Sequence, residues 1–257
     1  MNSDGAYTSL GKATGAALRR SVGTRPRQWL ITSTLLAGLL TAVGLSMTAP
    51  PAGKGFAALT ETVQLLMSAP APFLGALLTG DLRKAPHRAH LIPSLLAAMV
   101  LAAAVGVFGI LVCALTLAIA TSGSGADPWL NMGIVTVGSV LLQIDAQLVG
   151  TGLGLLLRSP VVACLGTIVL PMGLWVVLGG IEVLQPAQAW LTPYATARNL
   201  LSGQMNPLTW TQWFVILLIW GVGLNTAGAA LLRRKRHGHE GRDESGKVRD
   251  PGWEIQS

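Results

Sequence analysis

Charge is scarce in this chain. Only 11% of its 257 residues are Asp, Glu, Lys or Arg, against 51% apolar, and soluble domains carry about 25% charged residues. Little of the chain is therefore available to a soluble domain. Cysteine is also scarce: the two, Cys113 and Cys164, both fall inside apolar stretches without metal-ligand spacing. They read as small apolar fillers rather than a disulfide or a metal site. The four histidines, His87, His90, His237 and His239, all lie in polar segments. His87 and His90 stand at i, i+3, a spacing that can clamp a metal, but solvated loop histidines are the favoured reading. HExxH, GxSxG and CxxC are absent. The nearest approach to a phosphate loop, Gly5 to Ala13, has one residue too many between its glycines, and Ala13 stands where Ser or Thr must hold magnesium. The chain is not expected to be an enzyme, to bind a cofactor or metal, or to hydrolyse ATP alone.

What the chain does have is six apolar stretches, at about 29–49, 63–80, 94–121, 132–157, 160–183 and 209–232. A helical crossing of a bilayer needs roughly 20 apolar residues. The second stretch is short and interrupted by Pro70 and Pro72. The expected fold class is all-α, a polytopic membrane protein of six transmembrane helices. Charge sets its orientation. Of the 18 Lys and Arg residues, five precede the first stretch, three lie between the second and third (Arg83, Lys84, Arg88), Arg158 follows the fourth, and seven follow the sixth. Only Lys54 and Arg198 fall on the other side. By the positive-inside rule both termini are cytoplasmic, in the cell membrane. The net charge of +7 is thus mainly a topology signal with some attraction to anionic lipid. No nucleic-acid partner is expected, because the basic residues flank apolar stretches and lack interleaved aromatics.

Residues 1–28 form a cytoplasmic leader that is not a secretory signal, since polar residues precede the first apolar run. Within it Leu10, Ala13, Ala17, Leu18 and Val22 follow helical spacing, with Lys12, Arg19 and Arg20 off the stripe. That pattern predicts an amphipathic helix on the inner membrane surface, weakened by Gly11, Gly15 and Gly23. Arg25 to Gln28 then turns into the first span, with Trp29 as interfacial anchor. The inner loop 81–91 is short and polar. The 184–208 segment is the longest outer stretch, with a short helix expected across 194–202. Residues 233–257 are charged and Gly-containing, a composition that predicts a disordered cytoplasmic tail.

Polar groups inside the spans stand out. Gln143, Asp145 and Gln147 lie mid-way along the fourth. A carboxylate at that depth costs roughly 3 kcal/mol unless paired, protonated or wetted, which makes it a functional candidate. Gln143 and Gln147 share one helical face, while Asp145 shares another with Gly138, Val149 and Gly152. Asp145 reads equally as part of a transport path or as a hydrogen-bonded packing residue. Asn225 in the sixth span is another intramembrane polar group, more apt for joining helices than for holding cargo. Glu182 stands at the outer end of the fifth span. Gly150, Gly152 and Gly154 form a small-residue run suited to close helix packing.

Two segments resemble a known family. Gly150-Thr151-Gly152-Leu153-Gly154-Leu155-Leu156-Leu157-Arg158-Ser159-Pro160-Val161-Val162-Ala163 is similar to the GxGLGxLLRSPxxA junction between spans four and five of the membrane subunits of type-2 ABC exporters. Trp190 to Leu201, continued through the sixth span to Arg234, is similar to that family's LPxxAARxLL…GxxLLRRRD ending. The resemblance covers about residues 10–236. It implies a permease that pairs with itself or a sister permease above two copies of a separate ABC ATPase, where ATP and magnesium are bound. It also implies that the loop after span two contacts the ATPase, and so gives Asp81, Arg83 and Arg88 coupling roles. This sequence departs from the family there: Gly80-Asp81-Leu82-Arg83 replaces the usual Glu-Tyr-Arg and the loop is shorter. Lys235-Arg236 replaces the acidic residue of the ending. The nearly uncharged spans suit a hydrophobic or amphipathic cargo, such as a drug, an antibiotic peptide or a lipid-like molecule, and a self-resistance pump fits. The rival expectations are a proton-coupled carrier titrating at Asp145 and a non-transporting membrane scaffold. The lack of repeated halves opposes the first.

Overall fold

The computed structural model describes residues 3–48, 55–84, 91–120, 128–157 and 159–232, with the main chain only at 3–10, 21 and 81–84. All regular structure among them is helical. Six helices are long and apolar enough to cross a membrane: Arg25–Thr48, Phe56–Gly80, Leu91–Ala120, Met132–Leu156, Pro160–Gly180 and Pro207–Leu232. The architecture is therefore all-α and that of a multi-pass membrane protein. Arg88, Arg158 and the 233–257 tail lie outside the described residues.

The chain begins with α1 (Ser3–Val22), which runs through Gly11 and Gly15 and ends before Gly23. Ala17 is buried and Ala13 and Leu18 half-buried, while Lys12, Arg19 and Arg20 are exposed. The expected stripe is thus the side turned towards the bundle, chiefly α5. The first crossing, α2 (Arg25–Thr48), starts four residues before the apolar run, and the reason is Arg27. Its guanidinium is buried and donates to the carbonyls of Leu77 (2.7 Å) and Arg20 (3.3 Å). The charge expected to mark topology also pins the α1–α2 junction to the second crossing.

That second crossing is two helices, α3 (Phe56–Ser68) and α4 (Ala71–Lys84). It begins at Phe56 rather than at 63, because the polar run Thr60-Glu61-Thr62 lies inside the helix. Phe56 N–H donates to Pro128 O (2.8 Å) and its ring stacks on Trp129. Pro70 and Pro72 lack the N–H groups a continuous helix needs, and the chain breaks at Ala69–Pro70. The third crossing is α5 (Leu91–Ala120) and the fourth α6 (Met132–Leu156). The fifth, α7 (Pro160–Gly180), opens on Pro160 and stops short of residue 183.

Residues 182–201 are more ordered than a surface loop. A 3-10 turn (Glu182–Leu184) leads into α8 (Gln185–Leu191) and α9 (Pro193–Leu201), each of the two helices with Pro in its first turn. The pair folds back against the bundle: Trp220 Nε1 donates to Leu191 O (2.9 Å) from the middle of the sixth crossing. The turn after α9 needs Gly203. Its φ is +72°, and a Cβ there would stand 2.7 Å from that of Asn131. The sixth crossing, α10 (Pro207–Leu232), starts on a reciprocal cap in which Asn206 and Thr209 bond each other's backbone N–H with their side chains (both 2.9 Å). Its turns at Leu217–Gly223 are π-wound, a local widening that recurs at functional sites.

The helix at the centre is α6. It packs against α3, α4 and α5 on one side and against α7, α9 and α10 on the other. By contrast, α2 and α7 are each only 17% buried along their apolar windows.

Candidate functional site

Three seams of α6 carry the site. The first is a backbone contact with α4. A Cβ on Gly150 would lie 2.1 Å from the carbonyl oxygen of Pro72, and one on Gly154 would lie 2.0 Å from Thr79 Oγ1 and 2.8 Å from Ala76 Cα. From the facing helix, a Cβ on Gly75 would meet the backbone of Gln147, Gly150 and Thr151 within 2.9 Å. Only glycine permits this approach, which multiplies dispersion contacts where lipid gives no hydrophobic driving force.

The second seam is an amide chain. Gln143 is fully buried, and its Nε2 donates to Gln64 Oε1 (2.9 Å) and to Gln64 O (3.2 Å). Gln64, also fully buried, passes the chain on by donating to Gly106 O of α5 (2.9 Å). Among the described residues Gln143 Oε1 finds no partner. One turn along, the Gln147 amide, oriented to suit both neighbours, donates to Ala71 O (2.7 Å) and accepts from Gly75 N–H (3.2 Å). It therefore braces the first turn of α4 just after the proline break. A cavity of about 10 Å³ lies beside Gln143 and Gln147, lined also by Thr34, Met67, Leu74 and Val105. That is room for one water, not for a cargo.

The third seam faces α9 and α10. Gly138 takes the Leu200 carbonyl, 2.3 Å from where its Cβ would be, and Gly152 takes Leu224. Asn225 uses all of its polar atoms: Nδ2 donates to Leu148 O (2.8 Å) and Gly221 O (2.6 Å), and Oδ1 accepts from Thr151 (2.9 Å). It ties the π-wound segment to α6. Nearer the start of α10, Trp213 Nε1 donates to Asp145 Oδ2 (2.6 Å). Asp145 is half-buried, and Oδ1 accepts from no described residue. Trp210 packs edge-on to Trp213 with ring centroids 5.7 Å apart. At the far rim Arg198 of α9 pairs with Glu61 of α3 (3.4 Å).

The residues singled out from sequence thus separate. Gln143 and Gln147 share the face towards α3 and α4, Asp145 the face with Gly138 and Gly152, and Asn225 joins α10 to the latter. Asp81 and Arg83 fall in the last turn of α4, with only their main chain described, and Arg88 lies outside the described residues. Glu182 opens the 3-10 turn and is exposed. Four residues escaped the sequence reading: Arg27, Gln64, Thr151 and Trp213. Among the described residues no three His, Cys, Asp or Glu side chains converge as a metal site would require. No family model matches the chain and no curated protein matches it.

The α8–α9 fold-back rests on its tip. Thr192, fully buried there, donates to Gln188 O (2.7 Å), and the Trp220 bond holds the neighbouring carbonyl. Trp220→Phe keeps the ring and deletes that bond. With Cys113 and Cys164 replaced by Ala, a Thr192→Cys reporter is expected to react about tenfold faster with an impermeant maleimide once Trp220 is Phe, the equivalent of a ~1.4 kcal/mol bond. An unchanged rate would show that the tip is held by packing alone.

Proposed function

We propose that the chain is the membrane subunit of an ABC exporter, moving a hydrophobic or amphipathic cargo across the cytoplasmic membrane on energy from a separate ATPase. The observation that carries this reading is the α6–α7 junction. The segment that resembles the family's span-four to span-five motif is also where Gly150 and Gly154 bring α6 into backbone contact with α4. That contact makes a rigid link between the bundle's centre and the helix leading into the 81–91 loop. The poorly buried α2 and α7 suit pairing with a second copy or a sister permease. The orientation follows from the basic clusters, with both termini cytoplasmic and α1 on the inner surface. ATP-driven closure of the ATPase would push on α1 and the 81–91 loop, and α4 would pass the motion to α6.

In this account Asp81, Arg83 and Arg88 contact the ATPase. Replacing all three with Ala is expected to leave the bundle folded while ATPase co-purification and ATP-dependent transport fall at least about tenfold, the scale of losing two or three charge-assisted contacts. Intact recruitment and transport would remove the coupling assignment. A second reading, a proton-driven carrier, is favoured by one observation: Asp145, a carboxylate within a crossing, has a neutral indole as its partner. It requires that Asp145→Asn abolish transport of every cargo. A variant still driven by ATP eliminates it.

A further inference from the structure

We propose that Asp145, Trp213 and Trp210 form a binding site for a lipophilic cation, so that the cargo class is a cationic amphiphile; the second clause rests on the exporter reading. Asp145 stands at the middle of α6, and among the described residues the crossings that pack on α6 bring it no countercharge. Helices α5, α7 and α10 contain no Lys or Arg. The Arg198 of α9 is paired with Glu61 of α3. The basic residues of α4, Arg83 and Lys84, lie in its last turn. Arg27 of α2 is held by the carbonyls of Leu77 and Arg20. A carboxylate within hydrocarbon that lacks a cation is costly, and a passing cation would relieve that cost.

The surroundings fit such a guest. Trp213 fixes one carboxylate oxygen and leaves Oδ1 unpartnered among the described residues. Trp210 and Trp213, three apart on α10, present indole surface beside it in an edge-to-face pair. Carboxylate plus indole is the combination that takes an onium group, through Coulomb attraction and cation–π contact together. Both indoles and the carboxylate are half-buried rather than enclosed, so a cation dissolved in the bilayer reaches them from the side. Neutral amphiphiles gain only packing there, and anions are repelled.

The test is equilibrium binding of radiolabelled tetraphenylphosphonium to the full-length protein in lipid nanodiscs. The competitors, used separately, are unlabelled tetraphenylphosphonium and tetraphenylborate, the same shape with opposite charge. We expect saturable binding that tetraphenylborate does not displace, weakened at least about tenfold by Asp145→Asn and kept within about threefold by Asp145→Glu, as a charge-driven site requires. Equal competition by the two ions overturns the proposal on the parent protein alone, whatever the variants do. Unchanged affinity in a folded Asp145→Asn protein overturns it as well. The exporter reading fails separately. Asp145-dependent binding in a protein that associates with no ATPase upholds the site and removes the exporter. ATP-driven export of a neutral amphiphile without charge preference at Asp145 does the reverse.

Discussion

Gly150→Ala is expected to destabilise the bundle by about 3 kcal/mol, the upper part of the range for overpacking. The added methyl would sit 2.1 Å from the Pro72 carbonyl oxygen and 2.4 Å from Pro72 Cα. Those are backbone atoms at a proline break, with no flexible side chain to swing aside. Helix α6 would have to separate from α4, and the Gln147 braces to Ala71 and Gly75 would lengthen with it. In detergent this corresponds to a fall in Tm of roughly 6–12 °C for a chain of this size. Gly133→Ala on the same helix is the control. Nothing lies within 4 Å of its Cβ, so alanine's better helix propensity should raise stability by up to about 1 kcal/mol. Thermal unfolding of both variants, followed by size-exclusion chromatography after heating, checks the pair. Equal shifts would mean that the α4–α6 contact is looser than described.

The second large effect concerns the amide chain. Gln64→Leu removes the side-chain acceptor of Gln143, leaving it only the longer bond to the backbone carbonyl of residue 64 (3.2 Å), and takes the donor from Gly106 O, an expected loss of about 2 kcal/mol. Gln143→Leu strands Gln64 Oε1 but also deletes Gln143 Oε1, which has no partner to lose among the described residues, so its loss should be smaller, about 1 kcal/mol. The double Leu variant removes both halves of the pair. It should be less damaging than the sum of the singles by about 1–2 kcal/mol. A double-mutant cycle on Tm reads this coupling directly, and strict additivity would show that the two amides do not act as a unit.

Much of the fold was legible because it depends on patterns that hydrocarbon enforces. Uninterrupted apolar runs located α5, α6 and α7 to within a few residues. The 3.6-residue period separated Gln143 and Gln147 from Asp145, and α6 does present those groups to different neighbours. What stayed hidden depended on tertiary partners. Thr60-Glu61-Thr62 diluted the hydropathy at the start of α3, so Gln64 appeared to stand at a span's edge when it is fully buried. Arg27 looked like one more topology charge, since nothing local announces that Leu77, fifty residues on, offers it a carbonyl. The fold-back of α8 and α9 was foreseen only as a short helix in an outer loop. Its proline starts are local signals, whereas the Trp220–Leu191 bond that sets its depth is not. No local pattern singles out Trp213, whose partner Asp145 lies 68 residues away in sequence.

If a separate ATPase drives this bundle, as we propose, that partner should leave the membrane with it. The measurement that tests this most directly is purification of the tagged full-length protein from its native membrane in mild detergent, with mass spectrometry of what accompanies it and an assay of ATP hydrolysis. The expected result is a co-purifying P-loop ATPase, with turnover lost when residues 81–90 are replaced by a Gly/Ser linker. A folded, monodisperse preparation that carries no ATPase and shows no response to nucleotide would contradict it.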